Sequence, residues 1–168
     1  MKTHHLFILV CFIPAIGLCQ VDPTKMPVVY QAADMDKVII QQGIVYKTIN
    51  DTTLTFDIYY PPKGSKPEAL PPMVIFNNGV GSMALPQWRV YQDWAKLSAV
   101  NGMIAINHQS RGGKSLKDTE DLIDYLQQHA AELKFDRDRM AIWACSGNFG
   151  VGMPLAMQSN RKYIRALV

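Results

Sequence analysis

Two stretches rich in Val, Ile, Thr, Phe and Tyr, residues 38–49 and 52–60, are separated only by Asn50 and Asp51. Runs of this composition around a two-residue polar break predict an antiparallel hairpin. Pro61 and Pro62 end it, and a loop follows over residues 63–70. Residues 72–76 (PMVIF) form a continuous apolar run of the kind that fills a central parallel strand. The period then alternates. Residues 87–101 predict a helix with Trp88, Tyr91, Trp94, Ala95 and Leu97 on one side, and residues 102–106 a buried strand. Residues 117–134 predict a second amphipathic helix through Leu122, Ile123, Leu126, Ala130 and Leu133. A strand over 140–144, a helix over 149–158 and the start of a strand over 163–168 complete the order. Strand-helix repetition after an opening hairpin predicts an α/β fold with a mostly parallel sheet covered by helices on both faces. The helix over 149–158 is weak by propensity, because Gly150, Gly152 and Pro154 lie inside it. Its Met residues and the Trp residues of the first helix are expected in the core.

The amino terminus has a different character. Lys2 precedes an apolar run over residues 6–18, too short to span a bilayer but suited to a signal-peptide core. Residues 1–19 are therefore expected to be an export signal, with Gly17 and Cys19 as the small residues flanking the cut. Lipidation of Cys19 is the rival reading, which Leu18 disfavours because lipoprotein signals want a small residue there. Residues 20–37 read as a linker or leading arm, and 38–168 as the folded domain. The expected destination is the periplasm or the exterior.

At 48% hydrophobic and 18% charged, the 168-residue chain has the composition of one ordinary globular domain. A net charge of +3 without a dense Lys/Arg run gives no support to a nucleic-acid or anionic-membrane partner. Cysteines occur at 11, 19 and 145, so removal of the signal leaves Cys145 alone and no intrachain disulfide. No Cys/His spacing points to a metal, and no cofactor motif is present; residues 111–115 (RGGKS) lack the upstream glycine of a phosphate loop. Asp118, Glu120, Asp121 and Asp124 gather at the start of the second helix, where carboxylates favour the helix dipole.

The chemistry concentrates in residues 139–148 (RMAIWACSGN), a buried strand running into a tight turn with a serine at its tip. A serine hydroxyl becomes nucleophilic when held at a sharp strand-to-helix corner beside backbone N–H groups, and small residues must flank it. In a G-x-S-x-G frame Ala144 takes the first small position, Ser146 the nucleophile and Asn148 the second small position, where it departs from glycine. A frame centred on Cys145 would put Trp143 where a small residue is needed, though Gly147 would fit behind it.

The hairpin, the strand ending in residues 77–81 (NNGVG) and the later serine elbow together resemble the α/β-hydrolase superfamily, especially its exported esterase and dienelactone-hydrolase-like members. The most specific segments are residues 54–62 (LTFDIYYPP) and 138–148. The resemblance implies hydrolysis of a small carboxylic ester or lactone through an acyl-enzyme, without a cofactor. It implies an oxyanion hole built from the backbone N–H of Val80, or of Gly79, together with that of Gly147. Nucleophile, acid and histidine follow in that order in this fold. Residues 147–168 contain no Asp, Glu or His. The sequence is therefore expected to be an amino-terminal portion that stops before the triad is complete, leaving an apolar edge strand open to pairing with another chain. The alternative is a non-catalytic, degenerate hydrolase that binds a ligand or partner. Of the histidines beyond the signal, His129 is expected on a helix surface. His108, expected just past the carboxyl end of a central strand, is the candidate substitute base.

Overall fold

The computed structural model describes residues 21–64, 71–76 and 83–168. Its centre is a six-stranded mixed sheet of order β1-β2-β4-β3-β5-β6. The strands are β1 (Ile39–Ile49), β2 (Thr52–Tyr60), β3 (Met73–Phe76), β4 (Ile104–His108), β5 (Met140–Trp143) and β6 (Ile164–Leu167). The β1–β2 hairpin closes at Ile49↔Thr52 around Asn50-Asp51, with Asn50 at φ +49°. β2 joins β4 antiparallel, while β3 with β4, β3 with β5, and β5 with β6 are parallel. β3 is thus central, and all four of its residues are buried.

The pleat sorts the core into two halves. Ile58, Ile106, Ile75 and Ile142 stand opposite one another across four strands and meet Leu122, Ile123, Leu126, Val151 and Leu155. These last five come from α2 (Ser115–Gln128) and α3 (Phe149–Ala156). The neighbouring row of Tyr59, Ala105, Val74 and Ala141 faces α1 (Arg89–Val100), whose Ala95 and Ala99 are fully buried. Small residues on both sides let α1 lie close to the sheet. The helices therefore cover both faces, as the alternation predicts.

Several boundaries differ from expectation for identifiable reasons. α1 starts at Arg89, because a 3-10 turn over Leu85–Gln87 holds Pro86 and Trp88 is extended (ψ 132°). Gly102, at φ +84°, belongs to the turn closing α1, so β4 begins and ends two residues later than the apolar run indicates. α2 ends at Gln128; the chain then turns through Lys134 (φ +56°) to drive Phe135 into the core. Leu97 is half-buried, while Asp93 of the same helix is buried, its carboxylate accepting from the Val28 N–H at 3.3 Å. Residues 21–38 thereby pack on α1, with Val28, Met35 and Val38 buried.

Gly152 explains part of the weak composition of α3. A Cβ there would lie 2.9 Å from both the Ala144 Cβ and the Leu167 Cδ1, so only glycine lets the helix approach β5 and β6 this closely. The opposite side of α3 is not core: Phe149, Met153 and Met157, spaced four apart, are exposed.

Candidate active site

β5 delivers the chain to the corner. Cys145 is still extended (φ −83°, ψ 134°), Ser146 turns to φ +52°, and Ser146–Asn148 make one 3-10 turn leading directly into α3. A left-handed backbone is uncommon for a residue with a Cβ and costs on the order of 1–2 kcal/mol. Cys145, Ser146 and Gly147 are exposed, whereas Asn148 is only 2% exposed. The Asn148 N–H donates to the Cys145 carbonyl at 3.0 Å, closing the turn under the serine. The small residue at 144 has a physical partner in Gly152, the point where α3 meets the strand.

A hollow of about 330 Å³ opens at this corner, lined by Leu85, Trp88, Tyr91, Cys145, Ser146, Gly147 and Asn148. Its apolar wall comes from the start of α1 and the turn before it. Below the wall Trp143 is surrounded by rings, with centroids 4.6 Å from Trp94, 5.3 Å from Phe76 and 6.0 Å from Tyr91. Interlocked aromatic contacts of this kind resist displacement of α1 relative to β5. Tyr91 and Asn148 both line the hollow, one from α1 and one from the turn under the serine. Sequence pattern places Trp88 and Tyr91 on a core-facing helix side but not at a cleft, because that depends on where β5 ends relative to α1.

His108 is the last residue of β4 and is 1% exposed, so it is a strand residue and not part of the loop beyond. Its Nδ1 lies 3.1 Å from the Gln109 carbonyl, which can only accept. The proton therefore sits on Nδ1, leaving Nε2 as a buried atom without a hydrogen-bond partner among the described residues. Burial pushes the imidazole down from 6.5 to about 4. With Asn107, His108 lines a narrow cleft whose other walls are Phe76, Leu85, Pro86 and Tyr91. Leu85 and Tyr91 separate this cleft from the hollow at Ser146. His129 is half-buried at the carboxyl end of α2, stacked 4.0 Å from Tyr125 with its Nδ1 facing the Tyr125 carbonyl at 2.8 Å. Gly79 and Val80 lie outside the described residues, as do residues 1–19. Among the described residues no group of three or more His, Cys, Asp or Glu is placed to hold a metal ion.

The acidic start of α2 serves a purpose the dipole reading misses. Asp118 is fully buried and accepts from the Arg111 N–H at 2.9 Å, from Arg111 Nε at 3.0 Å and Nη2 at 2.7 Å, and from Lys47 Nζ at 2.9 Å. Lys47 also pairs with Asp121. Burial opposes ionisation of Asp118, but these cations and N–H donors outweigh it and hold the carboxyl at about 2. Residues 111–115 are therefore a braced turn after β4.

No protein-family model and no curated protein matches the chain by sequence. Solved structures do. A thermophilic esterase from the planctomycete Thermogutta terrifontis, solved with propionate bound, superposes with a TM-score of 0.54 at 22% identity, over 76% of this chain and 48% of that one. Its native form gives 0.51 at 23% identity over 71% and 44%. A brefeldin A esterase, described as a bacterial homologue of human hormone-sensitive lipase, reaches 0.65 at 16% identity over 86% and 42%. The chain has the α/β-hydrolase fold, with its hairpin and switched β3/β4 order in place. It spans less than half the length of each of these structures.

Proposed function

We propose that this chain carries the nucleophile-bearing half of a serine esterase that cleaves a carboxylic ester or lactone through an acyl-enzyme. The observation that carries this reading is Ser146 itself: exposed, at φ +52°, at the tip of a strand-turn-helix corner, and lining a hollow large enough for a small ester. The strained backbone falls on Ser146 and not on Cys145, which favours the oxygen nucleophile over the sulfur. Ser146 Oγ attacks the acyl carbon, and the N–H of Gly147, with that of Val80 or Gly79, receives the oxyanion. Collapse of the tetrahedral intermediate expels the alcohol, and water releases the acid. The names of the solved neighbours as esterases support the reaction class, and the propionate-bound form of one supports a short acid as product.

Residues 147–168 supply neither acid nor base. The reading therefore assigns both to sequence outside residues 1–168, with buried His108 held in reserve as substitute base. It also takes residues 1–19 as an export signal that leaves a domain acting outside the cytoplasm. The same absence of acid and base favours a second reading, a non-catalytic hydrolase relative whose open β6 edge and exposed α3 stripe bind another chain. Treating the protein, expressed from its whole natural reading frame, with a fluorophosphonate and locating the label by mass spectrometry separates the two. Labelling at Ser146, lost in Ser146→Ala and kept in Cys145→Ala, is the expected outcome. A folded protein that takes no label would overturn the esterase reading in favour of the second.

A further inference from the structure

Where α1 begins, the wall facing Ser146 is aromatic. Trp88 and Tyr91, three residues apart, line the hollow beside Leu85. Both are half-buried, so each ring keeps part of its surface for whatever fills the space. Water against these rings is water that an apolar ligand would release.

The two side chains are ordered in different ways. Tyr91 stands edge-on to Trp94, with centroids 5.5 Å apart and planes at 75°, and to Trp143 at 6.0 Å and 87°. Trp88 is fixed through its backbone: its N–H donates to the Leu85 carbonyl at 3.0 Å, and its carbonyl accepts from the N–H groups of Tyr91 and Gln92 at 3.0 and 3.2 Å. Among the described residues Trp88 takes no part in the ring pack around Trp143, so changing it leaves that pack intact. A wall set before the ligand arrives loses little further freedom on binding.

Burial of apolar area alone does not separate an aromatic ring from a saturated ring of the same size, because transfer from water scales with area. Ring electrostatics do. An indole or phenol has a negative face and a positive edge, and a second aromatic ring gains from them about two- to tenfold in affinity beyond its area.

We propose that Trp88 and Tyr91 form an aromatic subsite that holds an aryl group of a neutral carboxylic ester bound at Ser146. The substrate class is thereby aryl-bearing esters in preference to purely aliphatic ones, with the ring on the acid or on the alcohol. This rests on the esterase reading for the ester function, whereas the subsite stands whether or not Ser146 reacts.

The test compares rings of equal size. In Ser146→Ala protein, expressed from the whole natural reading frame and unable to form an acyl-enzyme, NMR titration measures binding of methyl benzoate against methyl cyclohexanecarboxylate, and of benzyl acetate against cyclohexylmethyl acetate. The aryl member of at least one pair is expected to bind about two- to tenfold more tightly, and the responding pair assigns the ring to acid or alcohol. Trp88→Leu should shrink that preference, and Trp88→Phe should restore most of it, with thermal unfolding confirming that both variants are folded. Equal binding within both pairs, no binding at all, or a preference that survives Trp88→Leu overturns the proposal. In protein retaining Ser146, the preferred aryl ester should slow fluorophosphonate labelling more than its cyclohexyl counterpart. An aryl preference in a protein whose Ser146 takes no label would sink the esterase reading and leave the subsite standing; labelling at Ser146 without any ring preference would do the reverse.

Discussion

At position 152 a side chain would have nowhere to go, and at position 150, two residues earlier on the same helix, nothing lies within 4 Å of where one would be. The two glycines look alike in the sequence and should behave oppositely. Gly152→Ala pushes a methyl group into Ala144 and Leu167 and is expected to cost about 1–3 kcal/mol. Gly150→Ala gains helix propensity without a clash and is expected to stabilise by about 0.5–1 kcal/mol. Thermal unfolding of the two variants checks both signs. Ser146 was legible as a candidate because a strand, a small residue and a serine are adjacent in the chain. The demand at Gly152 was not, because half of it comes from Leu167 on β6. The departure at Asn148 was visible in the sequence, but its burial, and Tyr91 lining the same hollow from a different element, could be found only in three dimensions.

Among the elements, the hairpin was fully legible, since Asn50-Asp51 and the β-branched flanks act locally. The ends of α1, β4 and α2 were less so: Gly102 and Lys134 turn the chain with positive φ, and neither position is marked by hydrophobic period. The largest gap concerns the start of α2. A carboxylate in a first helical turn is ordinarily a solvated one, and only tertiary structure brings Lys47 of β1 and the turn at Arg111 onto Asp118. Removing one member of a buried charge cluster strands the others, typically at about 3–5 kcal/mol. Asp118→Asn is accordingly expected to lower stability by an amount in that range, whereas Lys117→Ala, which breaks only the exposed pair with Asp121, should change it by less than about 1 kcal/mol. Urea unfolding of both variants measures the difference.

For the whole molecule, two depressed groups lose their contributions in successive windows as the pH falls. His108 is depressed in the fold, so below its unfolded pKa of 6.5 the unfolded chain binds the proton first and stability falls until the folded value near 4 is passed. The full effect is about 3 kcal/mol. Asp118 is also depressed, but as a carboxylate its contribution is intact above 3.8 and is lost as pH falls toward about 2. Unfolding measured from pH 7 to pH 4 should therefore show a loss that His108→Phe reduces, and a second loss below pH 4 that it leaves alone. The order of the strands has a further bearing on how such a sheet is made. β3 is flanked by β4 and β5, both later in the chain, so Met73–Phe76 leaves the ribosome long before either partner exists. At about 5–20 residues per second, the strand waits on the order of several seconds for Trp143 to emerge. During that interval the centre of the finished sheet is its most aggregation-prone segment, four consecutive apolar residues with unpaired backbone on both sides.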